Sequence, residues 1–169
     1  MEAGYAYEVI KNFSVSATFK YLFSDMGRIG NSRGASSVAF DLGVLYKCEI
    51  NDWEGAGWSV GLHVSNLGPK INYLTSKDAL PATVKVGGAA DLPFLQMHKL
   101  TLTADLGYRL SPADVQALSV SAGAEYAWRE LVMLRGGYHC GDKKKGDASY
   151  ATAGAGVEYD GVRLDFAWL

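Results

Sequence analysis

Alternation of apolar and polar residues, renewed from one end of the chain to the other, confines this sequence to β structure. Between positions 13 and 23, Phe13, Val15, Ala17, Phe19, Tyr21 and Phe23 are interleaved with Ser14, Ser16, Thr18 and Lys20. The stretch 38–47 repeats the rule: Val38, Phe40, Leu42, Val44 and Tyr46 take one side, with Asp41, Gly43 and Lys47 opposite. Residues 100–108, 118–128 and 162–168 behave likewise, and weaker versions occupy 3–9, 58–65, 82–92, 131–139 and 150–159. The pattern predicts an all-β, antiparallel, up-and-down fold of about ten strands, each roughly 7–11 residues long, with no helix of any length.

The punctuation agrees. Pro69, Pro81, Pro93 and Pro112 all fall between the strands read this way, where a missing N–H costs no ladder bond. Short connections lie at 10–12, 129–130 and 160–161, the last an Asp-Gly pair suited to a two-residue hairpin turn. Those at 51–57 and 93–99 are of middling length, and longer ones run through 25–36, 67–81, 111–117 and 141–149. Short turns on one side and longer loops on the other are how an outer-membrane barrel meets periplasm and exterior.

Alternation does not by itself say whether the apolar face meets a core or lipid. A soluble sandwich or lipocalin-like barrel would turn that face inward. Composition argues the other way. Of 169 residues 49% are hydrophobic and only 20% charged. The polar positions hold Gly, Ser, Thr and Ala rather than Lys and Glu, unlike a solvated strand surface. Aromatic residues gather on the apolar face near strand ends, among them Phe13, Tyr21, Tyr46, Trp58, Tyr108, Trp128 and Trp168. Rings at that position suit the headgroup level of a membrane, so the expectation is a transmembrane β-barrel with its apolar face on lipid. No run of about 18 apolar residues offers a helical span. Residues 1–5 carry neither the basic nor the apolar part of a signal peptide, so none is expected. Sixteen basic against eighteen acidic residues exclude a basic nucleic-acid surface.

With the apolar face outward, the lumen receives Glu8, Lys20, Asp41, Lys47, His63, Lys85, Asp105, Glu125, Arg135, Glu158, Arg163 and Asp165. These acids and bases can neutralise one another across strands, either as a lattice stiffening the wall or as the lining of a substrate path. Cys48 and Cys140 sit near opposite ends of their strands, too far apart to pair, and are expected as free thiols. His63 in the lumen, His98 in a turn and His139 near the outer rim lie at different levels, so they do not converge on a metal or share one Ser-His-Asp set. His63 with Ser59, Ser65 or Asp41 is the only conceivable catalytic cluster, and no activated-serine motif surrounds it. The glycine-rich segment 27–34 lacks the Gly-Lys-Ser/Thr end of a phosphate loop. Lys143-Lys144-Lys145, flanked by Asp142 and Asp147, reads as a solvated loop tip or as a contact for lipopolysaccharide phosphates. No catalytic residue, cofactor or metal site is expected.

The stretch 58–92, WSVGLHVSNLGPKINYLTSKDALPATVKVGGAADL, resembles the PorV family of Bacteroidota outer-membrane proteins, which belongs to the FadL-type barrels. Its most specific element is Ser65-Asn66-Leu67-Gly68-Pro69-Lys70-Ile71-Asn72-Tyr73, followed by Leu80-Pro81-Ala82 and the strand 84–88. Upstream, 13–15, 20–26 and the strand 40–47 look similar to the same family. The resemblance implies a FadL-like barrel with more strands than are legible here. The family's signal peptide and glycine-rich plug-like segment are not found. The final strand, 162–169, follows a short turn and so runs outward. The expectation is therefore a single partial barrel domain over 1–169, with N-terminal strands and the last strand missing.

For function the resemblance implies type IX protein secretion at the bacterial outer membrane. Family members collect cargo proteins by a C-terminal signal domain from the large translocon barrel and shuttle them to the surface attachment complex, amid outer-membrane lipid and lipopolysaccharide. The outer loops would do this work, with Asn66, Pro69, Lys70, Tyr73, Lys143, Lys144 and Lys145 as contact candidates. The family has also been associated with lipid A deacylation, which no residue here independently supports. The alternative is a FadL-like channel for small hydrophobic molecules. That needs an apolar lumen, toward which this chain offers only Leu45, Leu131 and Met133.

Overall fold

Every alternating stretch becomes a strand. The structure, a computed structural model, describes residues 1–24, 35–72, 77–95, 97–129 and 131–169. Its strands are β1 (Glu2–Ile10), β2 (Phe13–Ser24), β3 (Ala35–Glu49), β4 (Gly57–Leu67), β5 (Ile71–Asn72), β6 (Lys77–Asp78), β7 (Thr83–Phe94), β8 (His98–Arg109), β9 (Leu118–Trp128), β10 (Val132–Cys140), β11 (Tyr150–Tyr159) and β12 (Val162–Trp168). Ten of them form one meander in the order β1-β2-β3-β4-β7-β8-β9-β10-β11-β12, antiparallel throughout. β5 and β6 make a separate two-stranded hairpin inside the β4–β7 connection. The long sheet is open, with β1 and β12 as its edges. The helical structure among the described residues is two short 3₁₀ turns, Ala113–Val115 and Lys143–Lys145.

The connections sort by end. One end carries the turns 11–12, 50–56, 95–97, 129–131 and 160–161. Each reverses the chain through a residue with positive φ: Asn12 at 72°, Gly55 at 77°, Leu95 at 50°, Arg129 at 53°, and Asp160 with Gly161 at 50° and 77°. Tight hairpins demand that conformation because only it matches the twist of the strands they join. The opposite end carries the loops 68–82, 110–117 and 141–149.

The two faces of the sheet differ as the alternation requires. One presents Phe19, Phe40, Leu42, Val44, Val60, Leu62, Val86, Leu102, Leu106, Val120 and Leu134, all exposed. Aromatic side chains border this aliphatic field. Tyr46 packs on Trp58 and Phe94 on Tyr126 toward the turn end, and Phe19 packs on Phe40 toward the loop end. The other face presents the charged and small residues. Buried apolar side chains are few among the described residues: Ala39, Ala56, Leu80, Ala117, Ala127 and Met133. The surface totals 12180 Å², against about 8,100 Å² for a compact protein of this mass. This sheet has no core of its own.

Several sequence expectations are corrected at element ends. Pro93 lies inside β7, paired with Lys99. The pairing of β7 with β4 stops at Asp91, so the strand has an unpartnered side where a residue lacking an N–H fits. His98 begins β8 instead of sitting in a turn, and its ring contacts the Tyr126 hydroxyl at 2.6 Å. β3 starts at Ala35, so the loop read at 25–36 is shorter, and residues 25–34 are outside the described residues. The glycine-rich segment 27–34 falls there too, as does the contact candidate Tyr73.

Candidate functional site

The loop end concentrates the polar chemistry, beginning at a bulge. Phe40 pairs with Leu67 and Leu42 with Val64, so Asp41 alone stands opposite both Ser65 and Asn66. Asn66 absorbs the extra residue at φ 57°, a left-handed conformation that asparagine tolerates. Its backbone N–H donates to Asp41 Oδ1 at 2.8 Å. Lys20 Nζ stands 2.5 Å from Asp41 Oδ2 and donates to Asn66 Oδ1 at 3.4 Å. Asn66 Nδ2 donates to the Pro81 carbonyl at 3.2 Å, and Ser37 Oγ donates to the Pro69 carbonyl at 3.3 Å. Two residues expected in the lumen, Lys20 and Asp41, thus clamp the loop that holds Asn66, Pro69 and Lys70. The clamp joins sites that the sequence had assigned to different roles.

The described parts of these three loops are tied to one another. Leu110 N donates to the Ala82 carbonyl at 2.8 Å, joining 110–117 to 68–82. Arg109 donates to the Lys145 carbonyl at 3.2 Å, and Lys145 Nζ donates to the Gln116 carbonyl, joining 141–149 to 110–117. Leu80 and Ala117 are buried beneath this shelf.

A second cluster braces the 141–149 loop. His139 Nε2 lies 3.0 Å from Asp147 Oδ1, His139 Nδ1 lies 2.9 Å from Ser121 Oγ, and the ring stacks on Tyr150 at 4.9 Å. With the imidazole neutral and Nε2–H donating to Asp147, Nδ1 accepts from the Ser121 hydroxyl. This is a Ser-His-Asp sequence of contacts, and it corrects the expectation that His63 heads the only conceivable cluster of that kind. Its surroundings are those of a strut. Ser121 sits mid-strand between Asp105 on β8 and His139 on β10, and the neighbouring backbone N–H groups belong to the two ladders. Backbone N–H groups spent on the ladders are not free to hold an oxyanion at Ser121 Oγ. His63 faces Lys85 across the β4–β7 ladder and Gly43 across β3–β4.

Farther toward the turn end, Arg135 bridges Glu125 on β9 and Asp165 on β12, reaching across β11. It passes Gly156, where an added Cβ would come within 2.5 Å of Asp165 Oδ1 and 3.5 Å of the Arg135 guanidinium. Arg163 joins the same network, 2.8 Å from Asp165 and 3.6 Å from Glu158. A cavity of about 450 Å³ lies between this network and the His139 strut, lined by Thr101, Thr103, Ser121, Glu125, Arg135 and Thr152 among others. Sequence reasoning missed Ser121, Asp147 and also Asp91, which accepts from Thr101 at 2.7 Å and pairs with Lys99 at 3.2 Å. Ser121 was within reach, since counting back equally from the 129–131 turn sets it opposite His139. Lys143, Lys144 and Lys145 are exposed on the 3₁₀ turn of the third loop. Cys48 and Cys140 are free. Among the described residues no group of three or more His, Cys, Asp or Glu side chains is disposed to hold a metal ion.

No curated protein matches this sequence. A family model described as "Type IX secretion system protein PorV" matches residues 1–116, a span that runs from β1 through β8 and includes the Lys20–Asp41–Asn66 clamp with its loop. The resemblance carried by the Asn66–Pro81 region is therefore more than local, and the chain belongs to the PorV family of type IX secretion system proteins.

Proposed function

We propose that this chain forms part of a transmembrane β-barrel in the bacterial outer membrane. In this reading it binds cargo C-terminal signal domains and carries them from the translocon barrel to the surface attachment complex. The observation that carries the membrane half of this reading is the exposed aliphatic face bordered by aromatic side chains. In water such a face would far exceed the few hundred Å² of apolar patch that a soluble monomer tolerates. Against acyl chains it costs nothing, and closure of the sheet by further strands would satisfy the open edges at β1 and β12. The 1–169 segment is then one partial barrel domain, with strands contributed from outside it.

The shuttle half is supported by family membership and by the tied loop shelf. Loops already fixed by mutual hydrogen bonds lose little entropy when a partner docks on them, which favours recognition. Asn66, Pro69 and Lys70 on the clamped loop and the lysines of the third loop are the contact residues in this reading. Glu125, Arg135, Glu158, Arg163 and Asp165 stiffen the lumen wall, and Lys85, Asp105 and His63 line it. We read the role as binding and transport without catalysis, a reading supported by membership of a secretion system family. A channel for small hydrophobic molecules fits less well, since the large apolar side chains alternating onto the polar face are few, chiefly Leu22, Leu45 and Met133.

The test is an affinity capture in detergent from native cells, with the full-length parent protein as bait. Recovery of proteins that share a C-terminal signal domain, together with a very large barrel, is the expected result. Recovery of neither would remove the shuttle role and leave the barrel to be explained by solute transport.

A further inference from the structure

We infer that Arg129 holds the phosphate of a glycerophospholipid headgroup where β9 ends on the apolar face, an inference that rests on the membrane reading above. Trp128 closes β9 in the same alternation as Leu118, Val120 and Tyr126, and its ring is exposed on that face. Arg129 follows in the 129–131 turn at φ 53°, and its guanidinium lies over the Trp128 ring, 5.4 Å from the centroid. At that separation the negative face of an indole attracts a cation. The neighbouring turn fixes Arg129 from the other side. Its Nε donates to Met97 Sδ at 3.0 Å, and its backbone N–H donates to the Met97 carbonyl at 2.6 Å. Neither contact neutralises the charge, and among the described residues no carboxylate pairs with the guanidinium. A second donor stands beside it. His98 is opposite Trp128 in the β8–β9 register and stacks on Phe94 at 5.4 Å. With the imidazole neutral and the Tyr126 hydroxyl donating to Nδ1 at 2.6 Å, Nε2 carries the proton and is left without a partner among the described residues.

The position selects the ligand. The guanidinium is set by its contacts against the apolar face, on a platform of Phe94, Tyr126 and Trp128 that ends the aliphatic field at the turn end. Directly past His98 and Trp128 the same side of the sheet continues as Leu100, Leu102 and Ala124, with Leu102 exposed. An acyl chain lying along those residues brings its headgroup to the level of Arg129. Aromatic rings at that level are what a membrane interface collects, and a planar guanidinium with an N–H beside it suits the non-bridging oxygens of a phosphate diester. A free phosphate or an acidic protein segment would supply the charge but has no use for the aliphatic wall beside it.

The experiment uses the full-length protein in detergent, exchanged into mixed micelles of phosphatidylglycerol or of diacylglycerol with the same acyl chains. Lipid retained per protein is counted after size exclusion. Wild type is expected to hold phosphatidylglycerol in preference to diacylglycerol by about fivefold, and R129Q to lose most of that preference. R129K, which keeps the charge, should keep the preference. Loss of preference in R129K as well as R129Q would mean that Arg129 acts on the turn and not on a headgroup, and would overturn the inference. A preference that R129Q leaves intact would overturn it too, as would displacement of the phosphatidylglycerol by an equal concentration of inorganic phosphate, or equal retention of the two lipids by wild type. Failure of the membrane reading looks different. The protein would then retain neither lipid and would stay monodisperse after detergent removal.

Discussion

The two faces of this sheet are made from the same strands, yet they solve opposite problems. On one face apolar side chains stand exposed, with no layer packed over them among the described residues. On the other, many charges have a neighbour of opposite sign, as Lys20 has Asp41, Lys99 has Asp91, and Arg135 has Glu125 and Asp165. A soluble β protein inverts this arrangement, with its large apolar side chains packed together and its charges in water. The contrast teaches that the described residues provide no cover for the apolar face, whereas they build the environment of the polar face themselves.

The contrast can be broken one residue at a time. Leu102 and Thr103 are adjacent in β8 and face opposite ways. Leu102→Arg should destabilise the full-length protein in lipid vesicles by about 2–4 kcal/mol, as a charge at mid-bilayer does. Thr103→Arg, entering a polar cavity, should cost less than about 1 kcal/mol. Denaturant titration of both variants measures the difference, and equal costs would mean that the faces are not in different solvents. Next in size is Asp41→Ala, which strands Lys20 and frees the Asn66 N–H and should cost about 1–3 kcal/mol. Its sharper signature is local: protease cleavage within 68–82 should appear before the sheet unfolds.

The strands were legible in the sequence because alternation is a property of each stretch alone. The ends of β9 and β12 were even read to the residue. The failures occur where neighbours decide. A proline reads as a breaker, which sets Pro93 outside a strand, and only the early end of the β4 pairing reveals the unpartnered side it occupies. Asn66 was recognised by its motif, but its role depends on a bulge that sets it over Asp41, and a bulge leaves no periodic trace. Asp147 belongs to the His139 strut only because the third loop folds back on its own strand. No spacing rule anticipates that return.

Smaller effects should sharpen the distinction between clamp and strut. Asp147→Asn weakens the hold on His139 and should cost about 1 kcal/mol, with cleavage confined to 141–149 and partner capture through the 68–82 loop retained. Thermal or denaturant melting with limited proteolysis checks both. Loss of capture on Asp147→Asn would show that the three loops act as one surface and not as separable parts. K143Q/K144Q should change stability by no more than about 0.5 kcal/mol, since exposed side chains without partners contribute little to folding.

The most direct test of the membrane assignment is a nitroxide scan along β8 in the full-length protein in lipid vesicles. Cys48 and Cys140 are replaced, and single cysteines are introduced from Leu100 to Tyr108. The account predicts a two-residue period, with label at Leu100, Leu102, Leu106 and Tyr108 relaxed by oxygen dissolved in the bilayer. Label at Thr101, Thr103, Asp105 and Gly107 should instead be relaxed by a water-soluble nickel complex. Nickel access at every position, with no oxygen-favoured set, would contradict it.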